Sequence, residues 1–228
     1  MTNAFVTIII PCFNEGPVLR QVVAELVNEK KYTIILVDDG SVVPAQSLIG
    51  DLPVTIIRHI ANLGQGAALQ TGFEYVKKLP ADYVITFDAD GQHAPSDIQQ
   101  LLAPLQDGRA DIALGSRFLI KGQQNAPLTK KWVLHAGRLV NYFFSGLYLS
   151  DSHNGLRAFT KAAIEKIALK ENRMAHATEI LYAIRKHKLR HIEVPVTINY
   201  TFYSKSKGQS VFNSIRIFFD LVLHKIFE

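Results

Sequence analysis

Five short runs rich in aliphatic and β-branched residues, Val6–Ile10, Ile34–Val37, Val54–Arg58, Tyr83–Phe87 and Ile112–Leu114, alternate along the chain with longer segments of helical spacing. Runs that are apolar at nearly every position, rather than at every second one, suit strands covered on both faces, which is the situation of a parallel sheet. The helical spacing falls at Pro17–Lys30, Gly66–Lys78 and Ser96–Gln106, with Pro17 placed for a first helical turn and Ser96, after Pro95, for a cap. Alternating strands and helices predict an α/β fold, layered α/β/α, with a mostly parallel central sheet.

In such a sheet ligands gather beyond the carboxyl ends of the strands. The residues standing there are Pro11-Cys12-Phe13-Asn14-Glu15, then Asp38-Asp39-Gly40-Ser41, then Asp88-Ala89-Asp90-Gly91-Gln92-His93. Three acid-bearing loops are thus predicted to meet at one edge. Two carboxylates at i and i+2, such as Asp88 and Asp90, crowd like charge into a small volume. At 4 Å they repel by about 4 kcal/mol in an effective dielectric of about 20. A divalent cation reverses that sign and can bridge to a diphosphate. With Gln92 nearby the donor set is all oxygen, which favours Mg²⁺ or Mn²⁺ over zinc. Asp-x-Asp is also ordinary turn chemistry, as is Asp38-Asp39-Gly40-Ser41, where one carboxylate could equally accept hydrogen bonds from a ribose or base. His93, His153 and His176 are not at zinc spacing.

Composition narrows the classes further. The chain has 228 residues, 48% of them hydrophobic, enough for one large domain without a separate tail. Its 25 Lys and Arg against 20 Asp and Glu give a net charge of only +5, and no block of five like charges occurs, so nucleic acid is not an expected partner. Neither a G-x-G-x-x-G nor a G-x-x-x-x-G-K-[ST] loop is present, which argues against a dehydrogenase or a P-loop ATPase. The lone Cys12 permits no internal disulfide and is expected to pack in the core. The N-terminus lacks the basic leader of a secretory signal, and no stretch reaches the roughly 20 apolar residues of a membrane span, so a cytoplasmic chain is expected. Residues 121–127 read as an irregular flap. A helical wheel over 211–228 sets Phe212, Ile215, Phe218, Phe219, Val222 and Ile226 opposite Asn213, Arg216, Asp220 and His224, and Trp132–Leu149 has a similar character. Such a helix could lie in a membrane interface, dock on a membrane-protein partner, or pack on its own domain.

The order and spacing of Pro11–Glu15, Val37–Ser41, Asn62-Leu63-Gly64-Gln65-Gly66, Asp88–His93 and Gly115-Ser116-Arg117 resemble family 2 glycosyltransferases, and within them the branch that acts on dolichyl or polyprenyl phosphate. The resemblance runs from about Val6 to Ser210 and implies a GT-A fold over residues 1–210, followed by the amphipathic segment 211–228. It implies a metal-dependent, inverting transfer from a UDP- or GDP-sugar to a lipid phosphate, at the cytoplasmic face of a membrane. Pro11, Phe13, Glu15, Val37 and Asp39 would hold the nucleoside, and Asp88, Ala89, Asp90 and Gln92 the metal and diphosphate, with Asp90 and Gln92 foremost as ligands. Arg117, Lys131 or Lys130, and later Lys205 and Lys207, would neutralise the phosphates. Asp151–Phe159 resembles the family's D-x-x-x-G-F-R segment with Leu156 in place of Phe, and Glu179 matches an acidic position. Asp151 is then a conditional general base, Arg157 either a substrate contact or a brace, and Glu179 either catalytic or structural. Two other readings stay open: a glycan or other hydroxyl acceptor, and a non-catalytic sugar-nucleotide-binding module. A sugar nucleotidyltransferase is disfavoured because its Gly-rich N-terminal loop is missing.

Overall fold

A computed structural model describes residues 4–119, 142, 146–152, 154–171 and 176–199. The flap at 121–127, Lys130, Lys131, His153, Lys205, Lys207, the segment 211–228 and most of Trp132–Leu149 lie outside the described residues. The strands are β1 (Val6–Cys12), β2 (Tyr32–Asp38), β3 (Thr55–Arg58), β4 (Tyr83–Thr86), β5 (Ile112–Ser116), β6 (Arg157–Thr160) and β7 (His191–Pro195). The helices are α1 (Val18–Asn28), α2 (Ala45–Ile49), α3 (Gln65–Lys77), α4 (Ile98–Gln106), α5 (Lys161–Lys166) and α6 (His176–Lys186), with a 3₁₀ turn at Pro95–Asp97.

All seven strands form one sheet in the order β3-β2-β1-β4-β6-β5-β7. The pairings β1–β2, β1–β4, β2–β3 and β5–β7 are parallel, whereas β6 runs antiparallel to both β4 and β5. The predicted α/β layering is therefore present. Its five expected strands appear within two residues of their expected ends, and in four of them Ile8, Ile9, Ile10, Ile35, Leu36, Val84, Ile85 and Ala113 are all fully buried. One core face gathers α1, α2 and α4 side chains such as Leu19, Val23, Ile49 and Leu101. The other gathers Leu69, Phe73 and Val76 of α3, Ile164 of α5, and Ile180 and Ile184 of α6. Cys12 is 4% exposed and packs in the first of these, as expected. No helix among the described residues is long and apolar enough to cross a membrane.

Two expectations need correction or extension. Ser96 caps no helix: it lies inside the 3₁₀ turn, and Asp97 stands at the start of α4. The Asp97 carboxylate accepts instead from the Thr197 amide at 2.7 Å, tying the 3₁₀ turn to the chain beyond β7. Strands β6 and β7 carry no legible apolar run. β6 opens on a buried Arg157 between two partners, and β7 is an edge strand, where polar side chains and a terminal Pro195 are tolerated.

The parallel register turns sequence order into a site. Pro11 pairs with Val37 and Cys12 with Asp38, while β4 runs beside β1, so the loops after β1, β2 and β4 emerge at one edge. Because β6 is antiparallel, residues 117–156 leave the sheet after β5 and re-enter it at that same edge. Helix α3 sits close on the sheet at Gly72, where a Cβ would stand 2.4 Å from Ile9 Cγ2. Gly72→Ala is expected to destabilise by about 1–2 kcal/mol on urea unfolding, because overpacking against a fully buried Ile9 outweighs the roughly 1 kcal/mol gained in helix propensity.

Candidate active site

The two aspartates after β2 divide the labour. Asp38 is wholly buried and accepts from the amides of Ser41 and Ala45, both at 2.9 Å, with Arg58 at 3.6 Å. Burial opposes its charge, yet the Ala45 and Ser41 hydrogen bonds and Arg58 outweigh it and hold the carboxyl below its ordinary range. Asp38 thus fixes the turn into α2. Asp39 faces the loop that leads into α3. Its Oδ1 meets His59 Nδ1 at 2.7 Å and the Leu63 amide at 2.9 Å. Its Oδ2 accepts from Asn62 Nδ2 at 2.9 Å and the Gly64 amide at 2.7 Å. The first loop is stitched to the second where the Asn14 amide donates to Ser41 Oγ and the Val42 amide donates to Asn14 Oδ1. Phe13 stands 40% exposed beside this seam, whereas Pro11 and Val37 are buried, so those two can offer a nucleoside little beyond backbone.

Asp88 and Asp90 have opposite electrostatic fates. Asp88 Oδ1 accepts from Gln65 Nε2 at 3.1 Å and Oδ2 lies 3.1 Å from His93 Nε2. Burial pushes its carboxyl up, but the His93 hydrogen bond and the positive fields of His93, His176 and Arg157 prevail and leave it lowered. Asp90 is pushed up, first by burial and then by the charges of Asp88 and Glu15, although it accepts from the Gln92 amide at 3.0 Å and Gln92 Nε2 at 2.8 Å. Ala89 is 3% exposed and packs below. Among the described residues no group of three or more His, Cys, Asp or Glu is arranged to hold a metal. The residues present nonetheless fit a hard cation of the kind bound by one or two carboxylates and substrate phosphates. The donors are all oxygen, and the crowding that raises Asp90 is what added positive charge relieves.

Beneath Asp88 lies a small cavity with about 10 Å³ of space, the size at which one water just fits, bordered by Gln65, Thr86, Asp88, Gly155, Arg157 and His176. Gly155 is required here, since a Cβ on it would stand 2.0 Å from Asp88 Oδ2. Arg157 is 4% exposed, and its Nε and Nη2 donate to the carbonyls of Asn154 and Ser152 at 2.9 and 3.1 Å. Its Nη1 is buried with no hydrogen-bond partner among the described residues. Burial brings its pKa down to about 10, against the attraction of Asp88 and Asp151. The geometry therefore sets Arg157 behind the acidic pair rather than in the open.

Asp151 is 7% exposed and is engaged by Arg117, whose Nε lies 2.7 Å and Nη2 3.3 Å from its two oxygens. The Arg117 amide and Asn154 Nδ2 also donate to it, at 3.2 and 3.4 Å. Glu193 holds the turn, accepting from the Ser150 amide and hydroxyl and from the Asp151 amide. Glu179 turns elsewhere: its carboxylate accepts from the amides of Lys170 and Glu171, and burial pushes its pKa up. The α6 residues that border the cavity are His176 and Ile180, on either side of Glu179 in sequence. Lys131 and Lys205 lie outside the described residues. Sequence reasoning assigned no role to His59, Asn62, Gln65, Gly155 or Glu193. Asn62 and Gln65 sit in a quoted motif, but nothing local in the sequence marks Glu193.

Comparison with known proteins gives concordant results. The sequence profile described as "Glycosyl transferase family 2" matches residues 7–172. A UDP-N-acetylglucosamine–dolichyl-phosphate N-acetylglucosaminyltransferase of Methanococcus voltae is 34% identical over 99% of this chain and 98% of its own. A polyprenol monophosphomannose synthase of Mycolicibacterium smegmatis is 27% identical over 83% of this chain and 76% of its own. Among solved structures, the glucosyl-3-phosphoglycerate synthase of Mycobacterium tuberculosis, crystallised with Mn²⁺, UDP and phosphoglyceric acid, superposes with a TM-score of 0.68 at 12% identity, over 90% of this chain and 74% of that one. At that identity the likeness is one of fold, and the fold is GT-A.

The raised Asp90 has a signed consequence. Its folded-state pKa lies above its unfolded value, so the folded chain binds the extra proton more readily and loses stability as pH rises through the folded value. The wild type should therefore lose stability relative to Asp90→Asn as pH rises through the acid range, read as the difference in melting temperature across a pH series. In the same variant Mn²⁺ binding measured by calorimetry should be lost.

Proposed function

The chain belongs to glycosyl transferase family 2, and on that footing we propose that it transfers a sugar from a nucleoside-diphosphate donor to a polyprenyl or dolichyl phosphate with inversion at the anomeric carbon. The nucleoside is held by Phe13, Glu15 and Asp39, with Pro11 and Val37 lining the seam through their backbones. Asp88, Asp90 and Gln92 would hold Mg²⁺ or Mn²⁺, which supplies charge stabilisation for the departing diphosphate. The solved structure with Mn²⁺ and UDP supports this assignment by its shared fold.

One observation carries the choice of acceptor. The Asp151 carboxylate is already engaged by Arg117 from two directions and by Asn154, which makes it a poor proton acceptor for a sugar hydroxyl. A phosphate monoester, with a second pKa of about 6, is ionised near neutrality and needs no base. Asp151 then serves to set Arg117 for the phosphates, and Arg157 and His93 keep Asp88 charged from behind. The relatives from Methanococcus voltae and Mycolicibacterium smegmatis, named for dolichyl phosphate and polyprenol monophosphate chemistry, favour the same reading. It places the working chain at a membrane surface.

The test is transfer of radiolabelled sugar from UDP-GlcNAc, UDP-Glc or GDP-Man into the organic phase in the presence of polyprenyl phosphate and Mn²⁺. Label is expected in a lipid product, and the rate should climb with the second ionisation of the acceptor phosphate and level off above about pH 7. Label appearing only in hydroxyl acceptors, with the lipid phosphate inert, would overturn the proposal.

A further inference from the structure

The Asp39 carboxylate is gripped twice, by the turn into α3 and by α3 itself. The turn reaches it directly, through the amides of Leu63 and Gly64 at 2.9 and 2.7 Å. The helix body reaches it through a side-chain chain: Thr71 Oγ1 lies 2.9 Å from His59 Nε2, and His59 Nδ1 lies 2.7 Å from Asp39 Oδ1. The imidazole and carboxylate side chains are 11% and 3% exposed, so neither contact is a solvated accident. A carboxylate only accepts, so Nδ1 carries the hydrogen, and Nε2 then presents a lone pair to the Thr71 hydroxyl. Backbone geometry fixes both ends. The His59 amide donates to the Asp38 carbonyl at 2.8 Å, and Thr71 precedes Gly72, where α3 makes its closest approach to Ile9.

We infer that His59 and Thr71 are positioning residues of the donor site: the Asp39 carboxylate fixes the Nδ1–H form of His59, and the threonine hydroxyl, donating to Nε2, holds the ring so that it orients that carboxylate toward a nucleoside. The inference rests on the nucleoside reading of Asp39 above. It adds a specific link from the helix that docks on the sheet to the group that meets the donor. Asn62, which is exposed and donates to Oδ2 at 2.9 Å, is a side-chain contact at Asp39 that a base or ribose donor could replace.

The experiment compares Thr71→Val, which removes the hydroxyl at nearly constant shape, with Thr71→Ser, which keeps it, and with Asp39→Asn. UDP and GDP affinities are measured by calorimetry with Mn²⁺, alongside donor KM and kcat. Thr71→Val is expected to weaken the preferred nucleotide about tenfold, as loss of an outer hydrogen-bond partner does at built sites. Donor KM should rise with kcat little changed, and Thr71→Ser should restore both. Unchanged nucleotide affinity in Asp39→Asn would overturn the nucleoside reading itself. A loss in Asp39→Asn with none in Thr71→Val, or equal losses in Thr71→Val and Thr71→Ser, would overturn the relay alone. The wild-type protein gives an independent reading: ¹⁵N NMR should show the hydrogen of the neutral His59 ring on Nδ1, and a neutral ring with its hydrogen on Nε2 refutes the inference whatever the variants do.

Discussion

Like charge crowded at the ends of buried strands is the constraint around which this molecule is arranged. Glu15, Asp88 and Asp90 share one edge, and burial makes the charges of Asp88 and Asp90 dearer than they would be in water. The fold meets that cost asymmetrically. Asp88 receives Gln65, His93 and the nearby field of a buried Arg157, and is held ionised. Asp90 has only the donors of Gln92 as hydrogen-bond partners among the described residues, and burial and the Asp88 charge outweigh these and the field of His93. One carboxylate is thus compensated by the protein, whereas the charge of the other is disfavoured in a way that a bound cation would relieve.

The same logic explains why so many side chains behind the site are polar yet structural. Asp38, Asp97, Asp151, Glu179 and Glu193 all spend their oxygens largely on backbone amides or on arginine. A loop-built site at a sheet edge has many amides with no strand partner, and buried carboxylates are strong acceptors for them. The loop after β4 gains further support from the chain beyond β7: the Asn199 amide donates to the Gln92 carbonyl at 2.8 Å, and His93 and Ile198 form an antiparallel bridge. Residues far apart in sequence therefore hold the acidic loop from its outer side.

What was legible in the sequence follows from this division. The parallel half, β1 to β4 with α1 and α3, could be read because β1, β2 and β4 are largely buried on both faces and are followed by acid-bearing loops, and because β3, although only half-buried, still shows an aliphatic run. β6 and β7 could not, since an antiparallel insertion beginning on an arginine and a half-polar edge strand show no apolar run. Asp39, Asp88 and Asp90 could be singled out because they stand just after buried strands, although Asp38, at the end of the same strand as Asp39, spends its carboxylate on a turn. Their supports could not: His59 and Thr71 are 12 residues apart and Gln65 and Asp88 are 23 apart, and such pairs meet only through packing. Arg157 and Glu179 were visible as charged residues in a motif-like setting, but only burial shows that one braces Asp88 and the other a neighbouring loop.

The antiparallel course of β6 has a consequence for how such enzymes diversify. Everything between β5 and β6, residues 117–156, begins and ends at the rim that carries the acidic loops, while the strands on either side are fixed by pairing with β4 and β7. Between its anchored ends, where Arg117 holds Asp151 and Gly155 lies against Asp88, length and composition can change without shifting the register of any strand. A lineage can exchange that excursion for another and so recruit a new recipient for the sugar while inheriting its activation chemistry intact.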